Sequence, residues 1–567
     1  MSEEKWEITL STKNSPLLIG GWSSSAIWDK TTAIENKKPV IPASAIKGAL
    51  RIEFERLMRG IGENICDISS SEDKEERGCG NCICCILFGG GNKEGKLMFS
   101  IGKLKGEDKE KQDEFFPKIG VAISRKTGTG VDKKLYSMLT YKNAAEFTTT
   151  IYSSDLSEKE RKVFKFFLNY LASTGIYIGG RKGVGYGYFD LKYENDKKNT
   201  SQKKLSISID NLDKWKFYEV TIRFNAPLRV GDSSIRKYLL HTLAYIPANT
   251  IRGAIAFALI RMGANDKTVK ELFLGNEKYV RVSDFYYKSS EPVFLTEKRE
   301  KGGGKKFCTL IYSFLLSKMV ENGKFNEELY ERVFGKKNHP FVPASGDAPA
   351  SLYNIKLTLN RTTNSAHPER LIGMKLWEEK PGEYFEYKGL IYIPESLSSQ
   401  LEDIEIYVGG QRSRGYGRGK IKIEKWSSEG SIDEFNEKLK KVAEEFKIKL
   451  DNKLYFTIDF LSNAVLPENG IEESFKTRFP SLKIEPGTAI STGWIGGYSE
   501  HPQNRREKPL KKVIRHGSVI LASVDEDKKD DLKKILEEMK TTGWFDDKEH
   551  GIFGFIDICN KNHLKEA

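Results

Sequence analysis

"GIYIGGRKGVGYGYFDL", residues 175–191, decides how this chain reads. Five glycines follow Tyr177, Arg181 and Lys182 lie among them, and a strand-like run stands at each end. A dinucleotide-binding loop needs a strand, then G-x-G-x-x-G, then a helix whose N-terminus faces the pyrophosphate. Here the glycines run into "YGYFDLKY", which reads as a strand, and no G-K-[S/T] is present for a P-loop. The cofactor reading is set aside. A turn built on positive-φ glycines remains. Its exposed backbone, with cations alongside, suits a chain of phosphates and therefore RNA.

The stretch is not alone. "EIYVGGQRSRGYGRGKI" at 405–421 repeats it, with Gly409, Gly410, Arg412, Arg414 and Arg418 in the matching loop. "IPASAIKGALR" at 41–51 recurs as "IPANTIRGAIA" at 246–256. A looser pair starts near Arg125 and Arg361. The offsets are 205, 236 and 230 residues, in the same order along the chain. Two copies of one module explain them, the second with a longer middle.

Each copy reads as α+β. A strand opens it ("WEITLST", "YEVTIRFNA"), and a helix follows the Ile-Pro-Ala element. In the first copy Pro42 and Ser44 mark the start and N-cap, and Gly60 the end. Ile46, Ala49, Leu50, Phe54 and Leu57 form the apolar stripe. Strands flanking the glycine loop complete a split βαβ, ferredoxin-like sheet. The first module is placed at 1–195, ending in a polar linker at 193–204, and the second at 196–430. A divergent third part occupies 431–567, with a strand "KLYFTIDFLS", a basic stretch "NRREKPLKKVIRHGSV" and a helix lined by Leu532, Ile535, Leu536 and Met539. "HGIFGFIDIC" reads as a worn glycine loop, and "KREKGGGKKF" near 298–307 as a mobile loop.

The 567 residues carry 92 Lys and Arg against 79 Asp and Glu, a net charge of +13. A polyanionic partner accounts for that excess; a Lys/Glu-rich thermophilic surface accounts for it equally. The acidic N-terminus resembles no secretory signal, and no apolar run reaches the roughly 20 residues of a membrane span. The reading is a cytoplasmic protein, in which clustered cysteines need an explanation other than disulfides.

Five of the 7 cysteines fall in "CDISSSEDKEERGCGNCICC". Cys66, Cys79, Cys82 and Cys85 give C-x12-C-x2-C-x2-C, enough to close a tetrahedral zinc shell. Cys84 is an alternative to Cys85, and an iron–sulfur cluster an alternative to zinc. Four sulfurs leave no open position, so the site is structural. The seven histidines are scattered, without an H-E-x-x-H or a Ser–His–Asp order. Lys47 and Arg51 share a helix face, and Arg252 repeats the cation of Lys47 whereas Ala256 replaces Arg51. Asp29, in "GGWSSSAIWDKTTAI", is by itself one loop acid among many.

Together, the 19–57 stretch, "CILFGG", "GVAISRKTGTGVDKKLYSMLTYKNAAEFTTTIY" and "YIGGRKGVGYGYFDL" resemble the RAMP backbone subunit of type III CRISPR effectors. Residues 205–567 resemble, less specifically, the type III-D subunit that caps the 5′ tag of crRNA. A natural fusion of the two is the implied protein, a prokaryotic one. The resemblance implies RRM-like sheets and a thumb hairpin between Ile119 and Tyr152. It implies crRNA contacts at Ser44, Lys47, Arg51, Gly179, Gly180, Arg181 and Lys182, with Arg125 on the thumb and Arg252, Arg361, Gly409, Gly410, Arg412 and Arg414 as second-module counterparts. It also implies cleavage of complementary target RNA at Asp29 with Mg2+ or Mn2+, a zinc-bearing cysteine loop, and further type III subunits as partners. Thirteen residues before Pro247 stands Ser234 rather than Asp, with Asp232 nearby, so the second module is expected to bind without cutting. Three alternatives stand beside this reading: a non-catalytic crRNA-binding subunit, an RNase that processes crRNA precursors, and a zinc-stabilised general RNA-binding protein.

Overall fold

The computed structural model describes residues 3–13, 15–20, 28–35, 38–66, 78–90, 93–105, 115–142, 144–154, 156–196, 214–236, 239–275, 278–301, 305–336, 339–359, 366–378, 384–426, 430–478, 480–499, 506–542, 547 and 550–565. Along the opening strand, Glu3–Thr12, the period of two holds. Trp6, Ile8 and Leu10 are buried and Glu7 is exposed. This strand is the middle of a sheet. Tyr188–Asp196 pairs it antiparallel on one side (Ile8 opposite Tyr193) and Ala145–Ser154 on the other (Ile8 opposite Thr149). The short strands Leu97–Phe99 and Gly102–Leu104 pair with the far side of Ala145–Ser154. Numbered by chain order, the sheet runs 4-1-3-2, the ferredoxin-like arrangement that the sequence predicts.

The helices Ala43–Gly60 and Glu158–Thr174 fill the first core, where the Phe54 and Phe167 rings meet edge to face at 5.1 Å. Ile46, Ala49, Leu50 and Phe54 are buried as the stripe requires, joined by Met58. The start of that helix differs from expectation. Pro42, extended at φ −55°, is the cap residue and no side chain caps the helix, while Ser44 sits inside the first turn.

The same order recurs twice. In the second sheet Trp215–Phe224 lies between Phe385–Pro394 and Arg418–Lys425, with Arg281–Val282 and Tyr286–Tyr287 outside. In the third Lys453–Phe460 lies between Val519–Asp525 and Ile556–Ile558, with Lys483–Ile484 outside. The second and third sheets share one continuous apolar core, and the first keeps its own.

Each module also throws out a two-stranded hairpin between its second and third sheet strands. They are Phe115–Ile123 with Gly130–Tyr141, Ser351–Leu359 with Ala366–Trp377, and Thr492–Ser499 with Arg506–Ile514. The first is the thumb of the sequence reading, but it ends at Tyr141. Ala145–Ser154, expected within it, is a central sheet strand. The third occupies the basic stretch, which carries no period-2 signal strong enough to announce a strand. The sequence reading differs elsewhere too. Residues 193–196 belong to a strand, and the rest of the linker lies outside the described residues. The segment near 298–307 is a hairpin whose strands pair Glu297 with Cys308, its tip 302–304 again outside. Among the described residues no helix is long and apolar enough to cross a membrane.

Candidate functional site

Both glycine loops make the same turn. A left-handed residue (Arg181, φ 56°; Gln411, φ 65°) leads into a single 3-10 turn closed by a left-handed glycine (Gly185, φ 84°; Gly415, φ 83°). The backbone bonds correspond one to one. Ile178 N–H donates to Gly187 and Val408 N–H to Gly417, while Gly187 N–H donates to Pro16 and Gly417 N–H to Pro227. A strand follows each loop, so no helix N-terminus is offered to a pyrophosphate. Gly187 and Gly417 are held at φ 74° and 67°, and a Cβ there would collide with the Ile178 or Val408 carbonyl oxygen. Gly183, by contrast, faces open space. Gly417→Ala therefore lowers the thermal midpoint by several degrees, a cost of at least about 1–2 kcal/mol. Gly183→Ala leaves the midpoint unchanged. Equal midpoints would contradict this turn.

The inner side of the first loop packs on the foot of the thumb. Gly180 N–H donates to the Leu18 carbonyl at 2.9 Å, and a Cβ on Gly179 would strike Leu18 and Ile19. The Arg181 guanidinium lies 4.7 Å from the centre of the Tyr136 ring. Tyr186 is buried with Leu18 and Met138 and takes a hydrogen bond from Lys118 Nζ at 3.3 Å. Arg125 is exposed in the thumb's tip turn, between Ser124 and Thr129. From Phe115 to Lys142 the chain carries six cations and one acid. Phe116, Ile119, Val121, Ile123 and Leu135 stand exposed on the same ribbon, with Ile119 at 67% and Leu135 at 70%.

Asp29 lies at this foot. The segment Lys30–Thr31 pairs in parallel with Met138–Leu139 of the thumb. One residue earlier, Asp29 Oδ2 accepts from Ser137 N–H at 2.7 Å and from Ser137 Oγ at 3.3 Å, and Asp29 N–H donates to Ser137 Oγ at 3.2 Å. The carboxylate is thus exposed yet aimed. Register identifies its counterpart in the second module. Leu240 pairs with Met374 as Lys30 pairs with Met138, which puts Leu239 where Asp29 stands. Ser234, the residue expected from counting back from proline, is displaced from that position. The first module inserts the hairpin Ile34–Glu35/Lys38–Ile41 between the carboxylate and Pro42, and counting cannot see it. Asp232 lies in the neighbouring strand Gly231–Arg236.

Four thiols converge. Cys66 Sγ lies 3.6 Å from Cys82 Sγ and 3.4 Å from Cys85 Sγ, and all four sulfurs of Cys66, Cys79, Cys82 and Cys85 lie within 4.8 Å of one another. A turn and the helix Ile83–Phe88 present three of them, and part of the long x12 loop, residues 67–77, is outside the described residues. The N–H groups of Asn81 and Cys82 hold the Cys79 thiol down at about 6, whereas burial pushes Cys66 up to about 12. Cys84 is not a fourth ligand. It is buried against Glu55, its Sγ 3.5 Å from Oε1. These sulfurs are placed to hold one tetrahedral ion such as zinc. Among the described residues they form the only group of three or more His, Cys, Asp or Glu side chains so placed. Among the described residues Asp29 belongs to no such group.

Several expected cations are engaged by protein. Lys47 Nζ donates to Ser413 Oγ at 2.7 Å, and Arg412 Nη2 to Glu94 at 2.6 Å, both contacts joining the first two modules. Arg51 turns inward, its Nε on Glu55 at 2.9 Å and its Nη1 on the Gly89 carbonyl at 2.6 Å. Arg252 donates to the Phe273 carbonyl at 2.6 Å, and burial lowers it to about 10. Arg414 reaches Gln411 Oε1 at 2.7 Å at an exposed position. Gly409 and Gly410 pack on Arg229 as Gly179 and Gly180 pack on Leu18. Lys182 is exposed in its loop. Ser44 is half-buried, and Arg361 lies outside the described residues.

Two polar groups escaped the sequence reading because their members are far apart in the chain. Cys308 Sγ lies 3.3 Å from His563 Nδ1, and His563 Nε2 lies 2.7 Å from Asp459 Oδ1. The order is that of a cysteine hydrolase, but all three side chains are buried and no substrate reaches them. Burial alone would lower His563, yet Asp459 and Cys308 hold it well above its ordinary value, as a structural cation. The second group borders a 470 Å³ cavity between the second and third modules. There His516 Nδ1 lies 3.1 Å from Asp284 Oδ2, and Asp284 Oδ1 accepts from Ala248 N–H at the start of the second Ile-Pro-Ala helix. That bond explains His516 as structural. In the same cavity wall burial pushes the Glu291 carboxyl up to about 7, and Asp557, Asp459 and Glu297 add to the effect. A raised acid pKa penalises the ionised folded state. Stability is therefore lost as pH rises from about 4.5 to 7, by up to about 3 kcal/mol. Glu291→Gln flattens that dependence in denaturant titrations at pH 5 and pH 8; an unchanged slope would contradict the assignment.

A model of the RAMP superfamily matches the chain twice, over residues 12–190 and 221–422, and each match contains one Ile-Pro-Ala helix and one glycine loop. No curated protein matches. Among solved structures, a chain of a type III-B Cmr-beta complex bound to cognate target RNA and AMPPnP is similar at 13% identity and TM-score 0.32, over 57% of this chain and 90% of that one. A chain of a type III-B Cmr-beta complex bound to cognate target RNA is similar at 21% identity and TM-score 0.25, over 34% of this chain and 61% of that one.

Proposed function

The chain belongs to the RAMP superfamily, and on that premise we propose that it is a subunit of a type III CRISPR RNA-guided effector complex. Its first module grips crRNA and cleaves complementary target RNA beside Asp29. Its second and third modules hold the 5′ tag without cutting. The observation that carries the proposal is the aimed, exposed carboxylate at the foot of a basic hairpin whose strands carry exposed apolar side chains. Supporting it is Leu239 at the matching place in the second module, where no proton can be taken.

Chemically, the thumb ribbon offers cations to phosphates, and exposed Ile119, Val121 and Leu135 to unstacked bases. A duplex opened there leaves a ribose 2′-OH free to swing in line with its own phosphodiester. Asp29 Oδ1 accepts no hydrogen bond among the described residues, while Oδ2 is fixed by Ser137. Oδ1 is the base that takes the 2′ proton. The bond from 2′-O to phosphorus forms as the bond to the 5′-oxygen breaks, and the leaving oxygen takes a proton from water, giving a 2′,3′-cyclic phosphate and a 5′-hydroxyl. Were a divalent ion to bind there, Asp29 would be the side chain that holds it, and the ion would supply charge stabilisation at the phosphate. The cysteine cluster would hold zinc, which would tie Cys66 and Cys79 to the helix Ile83–Phe88 and take no part in the reaction.

The test is cleavage of a complementary RNA by the assembled complex, with and without Asp29→Ala. Loss of one specific cut supports the proposal; an unchanged set of cuts makes the chain a binding subunit only.

A further inference from the structure

One contact occurs twice inside the chain and has a free third instance. In the first occurrence, Arg412–Gly415 of the second module lies on the first-module helix Ala43–Gly60. Lys47 donates to Ser413, and a Cβ on Gly415 would come within 2.9 Å of the Ala43 Cβ and 2.8 Å of the Phe99 carbonyl oxygen. In the second, Gly551–Phe553 of the third module lies on the second-module helix Ala248–Arg261. A Cβ on Gly551 would come within 2.9 Å of the Asn249 Cβ, and Arg252 stacks 5.3 Å from the Phe553 ring. Lys47 and Arg252 are equivalent, as are Ala43 and Ala248. Each glycine loop thus covers the Ile-Pro-Ala helix of the module before it. The first module's loop has the same conformation, yet Gly183 and Gly185 meet open space and Val184 is 64% exposed.

We infer that Lys182–Gly185 docks on the Ile-Pro-Ala-type helix of a separate RAMP subunit; this rests on the effector-subunit reading. A second copy of this chain does not qualify. Both of its Ile-Pro-Ala helices are already covered by its own loops. The corresponding helix of its third module, Ile471–Arg478, lacks the motif and carries Glu472 and Glu473 in its first turn. The partner helix must begin with a small residue after proline, as at Ala43 and Ala248, because the left-handed glycine approaches at van der Waals distance. It must carry a cation one turn later. An acid in the partner receives Lys182 as Glu94 receives Arg412.

The experiment places the photoreactive residue p-benzoylphenylalanine at position 184 in the complex assembled with crRNA and its other RAMP subunits. A cross-link to the helix that follows an Ile-Pro-Ala-type motif in a different subunit is expected. A cross-link to RNA, to a second copy of this chain, or to nothing overturns the inference. In parallel, Gly183→Trp should reduce the co-purifying neighbour at least about tenfold, about 1.4 kcal/mol, with crRNA affinity kept; undiminished co-purification overturns it too. The RNA content of the same preparation scores the effector-subunit reading separately, since a complex without RNA defeats that reading whatever position 184 touches.

Discussion

Asp29→Ala slows the specific target-RNA cut by about 10²–10⁴-fold, the range for removing a positioned general base, while crRNA and target affinities stay within about twofold. Both halves of this expectation follow from geometry. The carboxylate is exposed and supports no core residue, so its removal leaves the fold intact apart from the hydrogen bonds to Ser137, together about 1–2 kcal/mol. Those bonds fix one oxygen and leave the other toward solvent, where a reacting hydroxyl can meet it. Asp29→Asn sharpens the test. Its amide oxygen still accepts from Ser137 N–H, so the foot of the thumb keeps its shape, but it cannot hold a proton. The rate should fall as far as for Ala. Full activity in Asn would reduce Asp29 to a structural link, and cleavage surviving both variants would assign the chemistry to another subunit.

Cys79→Ser removes the bound metal and unfolds the first module at a lower temperature than the rest of the chain. Wild-type protein should carry about one zinc per chain, and the variant well under half of that. Apparent binding energies of structural zinc, about 10–16 kcal/mol, exceed the stability of a typical domain. The separation of transitions follows from the cores. The first module's cluster, which includes Cys84 and Leu87, is distinct from the one shared by the second and third modules. Chelation should therefore shift one calorimetric transition and spare the other. Cys84→Ser provides the contrast. It disturbs a buried contact with Glu55 but keeps all four sulfurs, so zinc content should remain at one. Metal-free, fully folded wild type would contradict the site, and equal zinc loss in both variants would contradict the ligand choice.

Much of the architecture was legible because it is written in local signals and then repeated. The Ile-Pro-Ala helices, the opening strands and the two glycine loops each carry their own pattern, and matching order along the chain exposed the duplication. The cysteine spacing located the thiol cluster, although choosing Cys85 over Cys84 needed the helix Ile83–Phe88, which turns the two side chains to different sides. Other features depend on long-range pairing. Lys47 and Ser413 are 366 residues apart, and nothing in either neighbourhood announces that they meet. Arg51 looked like a surface cation because Lys47, one turn away, shares its face; Glu55 and the Gly89 carbonyl draw it in. The third hairpin hid in a basic stretch whose charges mask strand alternation. The second-module counterpart of Asp29 was misplaced by counting, since a five-residue difference in the loop is visible only in the sheet register.

The most direct test of the central claim is photo-cross-linking of a guide-complementary RNA, carrying 4-thiouridine at successive positions, to the assembled wild-type complex. The account predicts cross-links in the first module that fall between Phe115 and Lys142 and that depend on a matching guide. Cross-links confined to the second and third modules, or equally strong without a guide, would contradict it.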